Sequence, residues 1–301
     1  MYKKLISWFW ILIFTGFVSY NALGQNDAGR PEGVIKIAKV TGEVTATKDG
    51  NTLKLSVGTE ISQGYVVNTA AESSVVLVFS NGATINLAED SSLAIDEFLQ
   101  DPFADEVSVA SMTAEPSVST TKLHLSRGEL VGNVKKLNAD AGSSFTVQTP
   151  VGAAGIRGTT FRIIFRPDGT GRAFFSLTTV EGNVVLAAGT VNMPNETAVG
   201  QDKEVEIVID VEVDDAGVIT VTSGPSTPVI VIDTPPATQA AVAATVQQVV
   251  QAVATVVFTT PPPTTTTTTT TTTNTTKTEE KTTQSPPATQ TTPRTTSGDG
   301  K

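Results

Sequence analysis

The chain has 301 residues, no cysteine, one histidine and a formal net charge of −10. Without cysteine there is no disulfide, no lipid-modified cysteine and no thiol nucleophile, so stability has to come from a hydrophobic core. The acidic balance argues against nucleic acid, or an anionic membrane surface, as a partner held by simple attraction.

The N-terminus reads as an address. Met1-Tyr2-Lys3-Lys4 is positive, Leu5 to Val18 is apolar, and Ala22-Leu23-Gly24 puts small residues before a cut at Gln25. This order predicts a secretory signal peptide over residues 1–24. An uncleaved anchor is the alternative, but the apolar stretch is shorter than the ~20 residues a span needs. The expected product is exported, to the periplasm, the cell envelope or the outside, with no stable membrane span after cleavage.

From residue 33 to about 233 the sequence alternates. Leu53, Leu55 and Val57 point away from Thr52, Lys54 and Ser56. Val75, Leu77 and Phe79 are bracketed by Ser74 and Ser80, and Phe145 and Val147 alternate with Ser144, Thr146 and Gln148. Val205, Ile207, Ile209, Val211 and Val213 oppose Glu204, Glu206, Asp210, Glu212 and Asp214. A period of two predicts strands with one buried face. Asp49-Gly50-Asn51, Asn81-Gly82 and Asp168-Gly169 fall between such runs and tolerate the positive φ of tight hairpins. Many short strands so punctuated predict an all-β fold, a β-sandwich or jelly-roll-like body. Its main part is placed at 33–200, with strands in 201–233 completing or extending it.

Val242, Val246, Val249, Val250, Val253 and Val257 recur at helical spacing, with Pro235 and Pro236 ahead and Pro261 behind. They predict an amphipathic helix over 235–258. It packs on the β domain or, alternatively, serves a partner or self-association. From 259 to 301 the chain is Thr- and Pro-rich, with an unbroken run from Thr264 to Thr273. Such a tail cannot seed a core and is expected to be disordered, as a spacer or a plain solvated end. Thr41-Gly42-Glu43-Val44, Arg127-Gly128-Glu129-Leu130 and Glu181-Gly182-Asn183-Val184 echo one another at unequal spacing, which reads as three Gly-led strand entries and not as a solenoid.

These motifs together carry a resemblance. Gly42-Glu43-Val44 is followed by Ser74 to Leu87, by Leu125-Ser126-Arg127-Gly128-Glu129-Leu130, and by Phe145 to Pro150. Then come Ala153-Ala154-Gly155-Ile156-Arg157-Gly158-Thr159-Thr160-Phe161 and Val180-Glu181-Gly182-Asn183-Val184. This order resembles the FecR-type periplasmic domain, over about residues 33–200. Its most specific part is Thr149-Pro150 through Arg157-Gly158-Thr159 to Phe161, with Gly182 as a further signature position. The resemblance implies a β-sandwich-like module that senses or relays the state of a partner, as the iron-uptake regulators couple a TonB-dependent transporter to a sigma factor. Only Met1 to Lys4 precede the apolar stretch, so the expected member is a stand-alone exported one lacking the cytoplasmic anti-sigma segment.

The chemistry-bearing residues are few. His124, between Leu123 and Leu125, is expected on the outward face of a strand, with no Gly-x-Ser-x-Gly elbow to recruit it. Glu206, Asp210, Glu212 and Asp214 share a strand face but lack calcium-loop spacing, so no metal site is assigned. Arg157, Arg162, Arg166 and Arg172 cluster within one hairpin region. Arginine can hold carboxylate or phosphate bidentately, which makes Arg157, Arg162 and Arg166 the candidate binding residues. An internal ion pair, for example with Glu181, is the alternative, and a structural role is expected for Arg157. The sequence therefore reads as a non-enzymatic binding, sensing or relay domain without cofactor, whose partner is another envelope protein or an anionic ligand. A structural surface or matrix protein is the second reading. A carboxylate-based glycosidase is the third.

Overall fold

The structure, a computed structural model, describes residues 29–188, 195–215, 217–225 and 229–259. The signal-peptide assignment and the Thr/Pro tail beyond Thr259 lie outside the described residues.

The predicted alternation becomes a run of short strands. The first nine are β1 (Ile35–Thr41), β2 (Val44–Lys48), β3 (Asn51–Lys54), β4 (Glu60–Ile61), β5 (Val66–Thr69), β6 (Ser74–Phe79), β7 (Thr84–Leu87), β8 (Ser92–Gln100) and β9 (Val107–Ser108). The middle set is β10 (Ser119–Asn133), β11 (Ser144–Thr149), β12 (Gly152–Ile156), β13 (Thr160–Pro167), β14 (Arg172–Glu181), β15 (Asn183–Ala188) and β16 (Glu196–Gly200). The chain ends with β17 (Lys203–Val213), β18 (Ile219–Ser223), β19 (Val231–Asp233), helix α1 (Pro236–Val253) and β20 (Val257–Phe258).

Eighteen of these strands form two facing layers. The first runs β3-β2-β5-β8-β10-β11-β12-β15-β16. The second runs β4-β1-β6-β7-β10-β13-β14-β17, with β18 and β19 sharing the outer edge of β17. All neighbours are antiparallel except β10 and β11. One strand serves both layers: Ser119 to Arg127 of β10 pairs with β8, whereas Gly128 to Asn133 pairs with β7 and β13. Inward-pointing Val, Ile, Leu and Phe from both layers make one core. Phe79 of the second layer meets Phe98 and Phe145 of the first edge-on, at centroid distances of 5.1 and 6.3 Å.

Each of the three echoing Gly motifs is a corner where the chain changes layer. Gly42 joins β1 to β2, Gly128 bends β10, and Gly182 joins β14 to β15. Each has positive φ, at 70°, 101° and 85°. Each also lies against a small side chain: a Cβ would stand 2.3 Å from Ser73 Oγ, 2.0 Å from Ser91 Oγ or 2.6 Å from Thr159 Cγ2, respectively. At the first two corners the next residue closes the contact, as the Glu43 and Glu129 amides donate to Ser73 Oγ and Ser91 Oγ at 2.9 and 3.0 Å. Glycine is needed here for both its backbone freedom and its missing side chain.

The hairpins differ in detail. Asp49 and Gly50 both have positive φ, as a two-residue turn of the mirror-image type requires. Asn81 does not share that conformation with Gly82. Its amide points inward and donates to Ser119 Oγ and Thr121 Oγ1, so β6 and β7 join through a longer turn. Val57 is 65% exposed because β3 ends at Lys54 and the chain turns before it can re-enter the core.

Helix α1 lies on the outer face of the second layer. β6 is therefore buried on both sides: Val75 and Leu77 face the main core, while Val76 and Val78 join Phe103, Val109, Val249, Val253 and Phe258 in a second cluster. The helix stops at Val253, short of the expected end at Phe258. The chain instead extends so that Val257 and Phe258 pair with β9 and the Phe258 ring is buried. Lys36 fixes this end, donating from Nζ to Val257 O at 2.9 Å with its ammonium 5.0 Å from the Phe258 ring centroid. No helix among the described residues is long and apolar enough to cross a membrane.

Candidate functional site

The signature segment starts in the first layer, at β11 and β12, and crosses to β13 of the second. Thr149 and Pro150 form the tight β11–β12 turn, where Thr149 Oγ1 donates to Gly152 O at 2.9 Å. Proline suits that position because its φ is already fixed. Further on, Gly158 (φ 73°) passes so near Lys136 that a Cβ would lie 3.1 Å from its Cα. Thr159 is buried beneath Gly182, and Phe161 fills the space left by Gly132, where a Cβ would lie 2.5 Å from its ring. Thr149, Pro150, Gly158, Thr159, Phe161 and Gly182 thus each have a packing task.

Arg157 has none of these contacts. It is exposed, and no described side chain pairs with it. It lines an open groove of about 440 Å³ on the outer face of the first layer. Alternation puts Ser144 and Thr146 of β11, Val185 of β15 and Glu196 of β16 around the same groove. Gly155 lies on the groove as well, and a Cβ there would make only an ordinary contact with Val185 O, at 3.7 Å.

Arg162 and Arg166 are on the other layer and are already engaged. Arg162 Nε donates to Glu129 Oε1 at 2.7 Å and Arg166 Nη2 to Glu129 Oε2 at 2.8 Å. Their partner is Glu129, the residue after the β10 corner, and not Glu181. The structure therefore does not bring the three candidate arginines into one site. Glu129 was legible only as part of a Gly-led echo, because its placement depends on the pairing of β10 with β13.

The acidic face of β17 is also only partly as expected. Glu206, Asp210 and Glu212 are exposed, opposite buried Val205, Ile207, Ile209 and Val211. Val213, by contrast, is 53% exposed at the strand end, and Glu204 is 2% exposed. Thr178 Oγ1 donates to Glu204 Oε2 at 2.9 Å. Burial pushes the Glu204 carboxyl above the ordinary range, and Glu206 adds to that, while Thr178 and Arg162 oppose it. His124 is half-buried on the outward side of β10, beside Ala94 and Gln148. Among the described residues no group of three or more His, Asp or Glu side chains is arranged to hold a metal ion.

Comparison with known proteins adds one assignment. No curated protein matches the chain significantly. A candidate anti-sigma factor from Parabacteroides distasonis ATCC 8503, with crystal structures at 1.65 and 2.50 Å resolution, is 10% identical with a TM-score of 0.33. The aligned part covers 54% of this chain and 60% of that one, so the chain spans about three-fifths of that protein's length, and the likeness is too distant to assign a fold. The family model described as FecR protein matches residues 65–185, from β5 into β15, including both the Arg157 segment and two of the three glycine corners. Residues 65–185 of this chain are a FecR-type domain.

Proposed function

We propose that the chain is a non-catalytic sensing or relay module of the cell envelope that engages an acidic segment of a partner protein through the Arg157 groove. The observation that carries this reading is the contrast within the signature segment. Its other residues are consumed by turns and close packing, whereas Arg157 is exposed beside a groove with no described partner. A guanidinium with no partner among the described residues presents a fork of donors suited to carboxylates. Arg162 and Arg166 are less suited to the role because both already pair with Glu129. The FecR-type domain supports a signalling task in place of bond-making.

A photo-crosslinking residue at Thr146, which lines the groove, tests the proposal in native cells. The expected result is a discrete adduct in the envelope fraction that disappears with Arg157→Ala while the melting temperature is unchanged. An adduct that survives the substitution, or none at all, refutes it.

A further inference from the structure

A second cavity, of about 170 Å³, lies between α1 and the outer face of the second layer. We propose that it binds a small amphipathic carboxylate, with the acid on Lys135 and the tail among valines. This goes beyond the Arg157 reading and does not depend on it.

The apolar wall is left over from helix docking. Val249 and Val253 reach the sheet and are buried, but Val250 is 54% exposed on the next position of the stripe. These residues and Val246 face Val131 across the slot without closing it. The volume is close to that of an apolar cavity known to hold benzene, roughly 150 Å³, so a tail of about six carbons fits and a whole lipid does not.

The polar part of the lining is Thr84, Asn133 and Lys135. Two of these are already committed: Asn133 Nδ2 donates to Thr160 Oγ1 at 2.9 Å, and Thr84 Oγ1 donates to Asn133 O at 3.5 Å. Lys135 is held in place by its stem, which runs past Gly82, where a Cβ would lie 3.0 Å from Lys135 Cγ. No described carboxylate forms an ion pair with its ammonium. Burial lowers the amine's pKa from its ordinary value, and the charge of Glu181 pulls in the opposite direction. A partly desolvated cation in the lining of an apolar slot is stabilised by an incoming anion more than by a neutral or cationic head.

Hexanoate, 1-hexanol and hexylamine, compared by ligand-observed NMR on the exported chain at neutral pH, share one tail and differ in head. Hexanoate is expected to bind about tenfold more tightly than hexanol, the effect of one hydrogen bond to a charged group, and hexylamine least. Lys135→Gln should erase the preference while keeping hexanol binding. Val250→Phe, at an exposed helix position that leaves folding intact, should weaken hexanoate and hexanol alike. Arg157→Ala should change neither, which separates this test from the preceding one. Equal or better binding of hexanol by the unaltered protein, hexanoate binding unaffected by Val250→Phe, or binding of palmitate but not hexanoate would each overturn the assignment.

Discussion

Replacing Gly128 by alanine is the most direct test of how the two layers are joined. The residue has a φ of 101°, where an L side chain is strained; leaving it there costs about 1–3 kcal/mol. The new Cβ would also stand 2.0 Å from Ser91 Oγ and 2.5 Å from Ser91 Cα. The hydroxyl could rotate away, but the Cα belongs to the crossing segment between β7 and β8 and cannot retreat without moving both layers. Overpacking of this kind adds about 1–3 kcal/mol. The sum, about 4 kcal/mol, is a large part of the 5–15 kcal/mol typical of a folded domain. Gly50→Ala is the matched control, with a φ of 76° and nothing within 4 Å of the added atom; it should cost only about 1–2 kcal/mol. Urea denaturation of both variants, read as midpoint shifts at unchanged slope, measures the difference. Ser91→Gly in the Gly128→Ala background should recover only part of the loss, because the Cα overlap persists. If Gly128→Ala and Gly50→Ala destabilise equally, the corner is not sterically closed and the reasoning fails.

Glu204→Gln should raise the melting temperature at pH 7.5. Because the folded-state pKa of Glu204 is raised by burial, the folded protein binds that proton more tightly than the unfolded chain. Its contribution is fully present below the unfolded carboxylate value and declines as pH rises through the folded one. The gain from Glu204→Gln should therefore vanish near pH 4, and a gain that is independent of pH would contradict the assignment. Asp168 and Asp233, both depressed, act in the opposite sense and lose their contribution as pH falls through their folded values. Phe258→Ala removes the ring that anchors the end of α1 and should cost about 3–5 kcal/mol if the site behaves like an ordinary core position. Amide exchange should then quicken through α1 while β10 stays protected; uniform quickening would mean that α1 is integral to the main core.

Period-two patterning located the strands because one face of each meets the core, and it held for β11 and for the middle of β17. It failed where a second layer of contacts intervenes. Val76 and Val78 sit at positions where alternation demands polar residues, and α1 accounts for them. Glu204 sits in a row of solvated acids yet is enclosed, a result of tertiary placement that local spacing cannot encode. The candidate site was half legible. The sequence singles out Arg157-Gly158-Thr159, but which of the three arginines lacks an ion-pair partner among the described residues depends on Glu129, 33 residues from Arg162 in sequence. The echoing glycines were visible as a pattern, and only the change of layer at each explains why the pattern exists.

The division of β10 between the layers has a thermodynamic consequence. Its backbone hydrogen bonds reach β8 and β11 on one side of Gly128 and β7 and β13 on the other. Neither half of the body can therefore melt alone without stripping a strand shared with its opposite. A body wired in this way is expected to unfold as a single cooperative block, with a shared strand linking the layer that carries Arg157 to the layer that carries the C-terminal helix.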